Sequence, residues 1–393
     1  MLTNIHELNR YILKYNAFIA VQIFAINLSG KRDGMAGKLR IRELAAQAGV
    51  SMSTVSRVLA GKSNTSARAK QAVLDCAKAQ GVLSEMSAGR LLFNNVTVFA
   101  PSRAFDVRTD IFYYKVLQGI RNAVEFSDVR INYCAIEEND SDVPLFLKKI
   151  SDPACETAII VGIDDLRVHE VAADVGKPCV LVNCRDRSMR LDMVSPDHLL
   201  IGEFSAHYLI EQGHRDILTL ICLRRKTLQS RLDGVREAFA EHHIEFDDDR
   251  HLVTTAGFGS AEAREAIAAH FSTRARDRYP TAILAAGDFM AVGALEALEE
   301  LGLAVPGDIS IMTMDGFNLA EIHDVPLTSV NVPRDELGQE AMRLLQQRML
   351  RPASPTCNLL LGGRLVVRSS VRRFGGRKQK PAANAGSHGL YGG

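Results

Sequence analysis

The sequence predicts an N-terminal all-α helix-turn-helix headpiece followed by an α/β domain of two lobes. Three observations carry this reading. Between residues 39 and 59 an alanine-rich stretch is followed by a glycine and then by a short amphipathic run, the order of two helices joined by a tight turn. Residues 38–91 hold nine Lys or Arg against three Asp or Glu, a net of +6, although the 393-residue chain carries only +1. From residue 96 to 371 short β-branched runs alternate with amphipathic stretches, the pattern of parallel sheets covered by helices on both faces.

Taken in order, residues 1–37 fit the rest poorly. Arg10 and Lys14 precede an apolar run at 17–28 that is broken by Gln22 and Asn27 and superficially resembles a signal peptide. The run is shorter than the ~20 apolar residues that span a bilayer, and no small-residue cleavage site follows it cleanly. We expect residues 1–37 to be an upstream extension, disordered or outside the native start, with Met35 near the position where the headpiece begins. An exported sugar-binding transport component is the alternative this run would support.

The headpiece is expected over 38–82. Its first helix opens near Arg42 and Glu43 and carries Ala45, Ala46 and Ala48; Gly49 and Val50 suit the turn, and Ser51 is placed to cap the second helix. On that second helix Val55, Val58 and Leu59 fall at i, i+3 and i+4 and form an apolar stripe. Met52, Ser53, Ser56 and Arg57 are left on the other faces. These are the chemistries that read base edges: a guanidinium can fork to a guanine, a hydroxyl can donate one bond, and a thioether can touch a thymine methyl. A third helix fits 66–80, with Val73, Leu74 and Ala77 buried and Arg68, Lys70 and Lys78 outside. A bare helix pair with polar faces would look much the same; the local basic charge favours a DNA phosphate partner.

The segment LRIRELAAQAGVSMSTVSRVLAGK closely resembles the DNA-binding headpiece of the lac repressor (LacI/GalR) family. That resemblance implies a dimeric transcriptional repressor acting on near-palindromic double-stranded operator DNA. It puts Met52, Ser53 and Arg57 at base-reading positions and Arg40, Ser51, Thr54, Asn64 and Ser66 at phosphate-contacting ones. Residues 83–95 correspond to the family's hinge, which folds on operator DNA, and Leu91 to the leucine that wedges into the minor groove. The chain departs from the family here. Val82, Ser84 and Glu85 stand where a Tyr-x-Pro-Asn turn is usual, and Gly89 weakens a helix by about 1 kcal/mol relative to Ala.

Nine runs in the second region read as strands: VTVFA, RINYCA, TAIIVG, CVLVN, DILTLI, HLVTT, TAILAA, DISIMT and TSVNV. Residues 112–125, 199–212, 231–242, 261–271 and 290–301 read as helices between them. This is too much for one ordinary sheet, so two similar lobes are expected, with ligands at the carboxyl ends of their strands. GHRDILTL, SRLDGVREAF and PLTSVNVPRDELGQEA extend the resemblance and imply a type I periplasmic-binding-protein fold whose chain crosses between lobes three times. The interlobe cleft at 96–371 is then expected to hold a small effector, sugar-like or an anionic metabolite. Arg231 is the family's ligand-clamping arginine, against the alternative of a surface salt bridge. Asp288 is a polar ligand contact or else a helix N-cap. Phe112, Tyr113 and Phe258 offer flat faces or mere core packing, Asn183 ends a strand, and Arg225 and Thr227 precede Arg231 as further donors.

Other features carry less. EHHIEFDDDR, residues 241–250, gathers potential metal ligands but reads as a solvated loop. HExxH, GxSxG and GxxxxGK[ST] are all missing from the sequence, so no enzyme, metal or cofactor is expected. Seven dispersed cysteines without a CxxC pair read as free thiols of a cytoplasmic protein. The Gly-, Ala- and Lys/Arg-rich tail, 372–393, is expected to be disordered, and it lacks leucine heptads for a tetramer-forming coiled coil.

Overall fold

The computed structural model describes residues 33–60, 65–80, 91–107, 110–317 and 325–375. Residues 1–32, Asn64, most of the expected hinge and the tail from 376 onward lie outside the described residues. The headpiece consists of α1 (Asp33–Ala48), α2 (Met52–Leu59) and α3 (Ala67–Ala79). Helix α1 begins well before Arg42, inside the expected extension. No proline intervenes in 33–41, and Ala36, Lys38, Leu39 and Arg40 favour a helix there against Gly34 and Gly37. Leu44, Val55, Val58, Val73, Leu74 and Ala77 form a small separate core. Leu92 joins this core from just ahead of the first strand, and Met349 and Leu350 pack on it from the other domain.

The body holds twelve strands among the described residues. The first lobe is built from β1 (Asn95–Ala100), β2 (Arg130–Ala135), β3 (Thr157–Val161), β4 (Cys179–Val182) and β5 (Asp192–Pro196). The second is built from β6 (Ile217–Ile221), β7 (Leu252–Thr254), β8 (Ala282–Ala285), β9 (Ser310–Thr313) and β10 (Thr328–Asn331). Strand β11 (Asn358–Leu361) returns to the first sheet and β12 (Arg364–Val366) to the second. The sheet orders are β11-β5-β4-β3-β1-β2 and β12-β10-β9-β8-β6-β7. All pairings are parallel except β10 with β12. The chain therefore crosses between lobes after β5, after β10 and between β11 and β12, the three crossings that the resemblance implies.

All nine quoted runs are strands; β5, β11 and β12 are additional. Burial explains why the runs were so apolar. On β1, Val96, Val98 and Ala100 pack into one core while Phe99 packs into the other, so both faces of the sheet are covered. The helices are α4 (Ile111–Asn122), α5 (Val143–Ser151), α6 (Leu166–Val175), α7 (His198–Glu211), α8 (Lys226–Glu241), α9 (Ser260–Ser272), α10 (Asp288–Glu300) and α11 (Arg334–Leu350). Helices α7 and α8 cross in close contact, because a Cβ on Gly202 would lie 2.0 Å from the Arg231 carbonyl oxygen.

The expected disordered tail starts too early at 372. Phe374 stacks on His214 with ring centroids 5.5 Å apart, and its N–H donates to the Gln212 carbonyl at 2.7 Å. Arg372 N–H donates to Ser310 Oγ at 3.1 Å. These contacts cover the edge of the second lobe and keep the chain ordered through residue 375.

In each sheet the first strand lies between its second and third neighbours in sequence, so the switch points fall at β1/β3 and β6/β8. Crevices open at the carboxyl ends of such strands. The two crevices face each other and define the interlobe cleft.

Candidate functional site

The expected DNA-reading face is built around the turn between α1 and α2. Gly49 adopts a left-handed φ of 63°, which sets the turn before α2. Ser51 caps α2, its Oγ accepting from Thr54 N–H at 3.1 Å. The Ser51 hydroxyl also lies 2.8 Å from that of Ser53 and 2.9 Å from that of Thr54. Val55, Val58 and Leu59 are buried, which turns Met52, Ser53 and Arg57 outward; Met52 is 45% exposed. Arg57 Nη2 donates to Ser53 Oγ at 3.3 Å, so the two expected base readers stand side by side. Arg40, in the middle of α1, and Ser66, just ahead of α3, are exposed, with Ser66 Oγ accepting from Ala69 N–H at 3.3 Å.

Two residues of the expected DNA-binding region contact the body of the protein. Lys70 does not belong to the phosphate face: its Nζ donates to Glu156 Oε2 at 2.6 Å and Asn94 Oδ1 at 2.7 Å, tying α3 to the first lobe. Leu91 is half-buried against the core of the body rather than presented to solvent. Reaching a minor groove requires it to leave that packing.

The cleft forms a cavity of about 550 Å³. Each wall residue sits just after the carboxyl end of a strand. From the first lobe come Arg103, Asp110, Phe112 and Tyr113 after β1, and Asn183 after β4. From the second come Arg224 and Arg225 after β6, Phe258 after β7, Asp288 after β8, and Asp315 and Phe317 after β9. Seven of the eight expected effector residues thus converge. Thr227 does not line the cavity. Leu228 and Arg231, three residues apart, occupy the cavity face of α8, which turns Thr227 onto the adjacent face.

Arg231 is buried and is not a surface salt bridge. Its Nη1 donates to the Ala286 carbonyl at 2.6 Å, its Nη2 to Asp315 Oδ1 at 2.9 Å, and its Nε to His198 Nδ1 at 3.1 Å. Because that ring nitrogen accepts, the proton of neutral His198 is on Nε2, which donates to Asn183 Oδ1 at 2.8 Å. Asn183 Nδ2 in turn donates to the Tyr113 hydroxyl at 3.0 Å. A directional relay from Asp315 through Arg231, His198 and Asn183 to Tyr113 therefore crosses from one lobe to the other. Burial, followed by the Arg231 charge, holds the His198 pKa well below the usual imidazole value and keeps the ring neutral.

The other arginines are also matched. Arg225 Nε donates to Asp164 Oδ2 at 2.8 Å and Nη2 to the Asn183 carbonyl at 2.7 Å. Arg103 meets Asp110 at 2.9 Å and Glu138 at 2.6 Å. Both guanidinium groups lie over the Tyr113 ring, 5.7 Å for Arg103 and 5.6 Å for Arg225. Burial lowers Arg225 to about 9 and raises Asp164 to about 6, with neighbouring Arg103 and Glu138 adding to the respective shifts. Each partner of this pair is pushed toward its neutral form, so desolvation outweighs their attraction. Gly162, at a left-handed φ of 65°, makes room for the Tyr113 ring; a Cβ there would stand 2.4 Å from Cζ.

Asp288 is the first residue of α10 and Gly287 its cap, so the N-cap alternative does not hold. Asp288 Oδ1 accepts from the Thr313 hydroxyl at 2.7 Å, and Oδ2 accepts from Phe317 N–H. Burial, with Asp315 close by, raises its pKa to about 6. Arg224 lies over the Phe258 ring at 5.2 Å, on the more open side of the cavity. The sequence offered no signal for Arg103, Asp110, His198 or Asp315, since each becomes a wall residue only through partners far away in the chain.

Residues 40–81 match the family model for bacterial regulatory proteins of the lacI family, and residues 206–371 match the periplasmic binding protein-like domain. Among relatives, the repressor PurR of Vibrio campbellii is 25% identical over 85% of this chain and 99% of its own length. The regulator reg1 of Streptomyces lividans is 27% identical over 87% and 99%, and MalR of Streptomyces coelicolor 28% over 87% and 99%. The chain thus joins a lacI-family headpiece to a periplasmic binding protein-like domain. This lacI-family protein is a DNA-binding transcriptional regulator, and its headpiece sets aside the transport alternative. Its fold also matches that of the regulator CelR in complex with cellobiose, with a TM-score of 0.63 at 24% identity, covering 84% of this chain and 99% of that one. An Enterococcus faecium lacI-family regulator with bound ribose gives 0.60 at 22% identity, covering 71% and 99%. Among the described residues no helix is long and apolar enough to cross a membrane.

Proposed function

We propose that this regulator is a cytoplasmic homodimeric repressor of near-palindromic duplex operators, and that its effector is a neutral, polyhydroxylated, sugar-sized molecule bound in the interlobe cleft. Met52, Ser53 and Arg57 read bases; Arg40, Ser51, Thr54, Asn64 and Ser66 contact phosphates, and Leu91 wedges at the dyad once the hinge folds on DNA. Tyr113, Asn183, Arg225, Arg231 and Asp288 hold the effector's hydroxyls, between the apolar faces of Phe112 and Phe258.

The observation that carries the effector class is charge balance. Arg103, Arg225 and Arg231 each already face a carboxylate at 2.9 Å or less, and Asp288 adds a further acid. A sugar phosphate or a dicarboxylate would meet no uncompensated positive charge there, whereas alternating donors and acceptors beside flat rings suit hydroxyls and a pyranose face. The cellobiose and ribose carried by the two structural relatives agree with this chemistry. The reading is one of binding without turnover. Ligand-dependent lobe closure alters operator affinity only by the difference in effector affinity between the two states.

The test is thermal unfolding of the full chain against neutral mono- and disaccharides, sugar acids, sugar phosphates and purines. A ligand at a hundred times its Kd stabilises by about 2.7 kcal/mol. A hit confined to neutral sugars, followed by operator binding with and without it, fixes the effector and the sign of regulation. Stabilisation only by phosphorylated or acidic ligands refutes the charge argument.

A further inference from the structure

Away from the cleft, the middle of α7 and the C-terminal end of α8 bring together groups that neither the DNA face nor the effector site uses. Glu203 and His207 lie one turn apart on α7 and share a face. Glu241 is the last residue of α8, and His242 is its C-cap. Glu241 Oε2 stands 3.0 Å and Glu203 Oε1 3.7 Å from His207 Nε2. Ligand atoms from these three residues all lie within 4.8 Å of one another. On the opposite side of the imidazole, His207 Nδ1 stands 2.8 Å from His242 Nε2.

We propose that Glu203, His207 Nε2 and Glu241 form a binding site for a zinc-class divalent cation, with His242 accepting the Nδ1–H of His207 and fixing its ring. The sequence pattern suggested only a solvated loop at 241–250. Folding detaches Glu241 and His242 from that loop by ending α8 on them, and α7 supplies two ligands from a distant stretch.

Three physical arguments support a cation. Glu241 sits at the carbonyl end of α8, where the helix dipole disfavours a negative charge, and no basic residue occupies that last turn. Two carboxylates and this helix end converge on one imidazole, and a divalent ion bound between them relieves their mutual repulsion. The geometry also fits: with metal–ligand distances of about 2.0–2.2 Å, ligand atoms in a tetrahedral site stand roughly 3.2–3.6 Å apart, close to the 3.0 and 3.7 Å that separate the two carboxylates from His207 Nε2. A fourth position is left for water. The imidazole selects zinc, cobalt or nickel over magnesium and calcium, which prefer all-oxygen sites. A second imidazole behind the first is the kind of outer partner that fixes a ligating histidine. The ion would tie α7 to the C-terminal end of α8, the two helices that also carry His198 and Arg231.

The test uses the full chain stripped with a chelator and titrated with Zn²⁺ or Co²⁺, with Mg²⁺ as control. The expected result is one ion per chain, a higher unfolding temperature with Zn²⁺ but not Mg²⁺, and a Co²⁺ spectrum free of thiolate charge-transfer bands. Glu203→Gln and Glu241→Gln each weaken binding at least ~10-fold, and His242→Gln by roughly 10- to 100-fold. His207→Gln abolishes it, and should that variant fold poorly, the two glutamate variants carry the test alone. Three results overturn the proposal: no response of the wild-type chain, affinity unchanged in the glutamate variants, or thiolate bands that assign the metal to cysteines.

Discussion

Arg231→Ala tests the cleft most directly, because the structure gives both halves of the expected effect. Stability falls first. The substitution strands Asp315, the Ala286 carbonyl and His198 Nδ1, all within 2.6–3.1 Å of the lost guanidinium. Removing one partner of a buried, hydrogen-bonded ion pair costs about 3–5 kcal/mol, and for a domain of this size that lowers Tm by roughly 10 °C. A second change, Asp315→Asn in the same background, removes the unpaired charge and recovers about 1–2 kcal/mol. Effector binding falls next. A hydrogen bond from a charged donor is worth about 1.5–3 kcal/mol, so Kd rises roughly 10- to 100-fold. Calorimetry at a temperature where the variant is folded measures this, and anisotropy with operator DNA measures the headpiece separately. Operator affinity without effector stays at the wild-type value, because neither Arg231 nor its partners belong to the core that holds α2. Effector affinity unchanged within twofold would remove Arg231 from the site, and unchanged Tm would refute the buried pair.

The remaining expectations follow from other parts of the fold. Arg57→Ala relaxes discrimination at one base position by about 1–3 kcal/mol, read from a panel of single-base operator variants; uniform weakening across the panel would instead make Arg57 a phosphate contact. Gly162→Ala forces a side chain onto a left-handed backbone and into the Tyr113 ring, costing about 1–3 kcal/mol and weakening the effector response. The buried His214, whose pKa burial depresses to about 4, binds its proton more readily when unfolded. Its contribution to stability is therefore complete above pH ~6.5 and is lost as pH falls toward 4, on the order of 2–3 kcal/mol. His214→Gln should flatten the loss of stability between pH 6.5 and 4 in denaturant titrations, and an unaltered slope would assign that loss to other groups.

What the sequence determined by itself were the elements whose burial is local and periodic. The runs at 96–100, 157–162 and 281–286 are covered on both faces and so are continuously apolar, and Val55, Val58 and Leu59 mark the inner stripe of α2 in eight residues. Asn183 and Asp288 were legible because each closely follows such a strand, whereas Phe112, Tyr113 and Arg231 were placed by the family resemblance. The pattern missed three strands. Strand β11 buries only alternate residues, β12 spans three, and Asp192–Pro196 is a strand through its neighbours β4 and β11 rather than its own composition. Tertiary structure alone decided which charges meet. Lys70 reads as one more basic residue of a DNA face until folding sets it against Glu156, eighty-six positions away. Arg231 and Asp315 are likewise eighty-four positions apart, and His198 becomes a link between lobes only when the chain crosses from β5 into α7. Hydrophobic periodicity is written along the chain because each element needs one apolar face, whereas charge pairing depends on three-dimensional neighbours that no local spacing encodes.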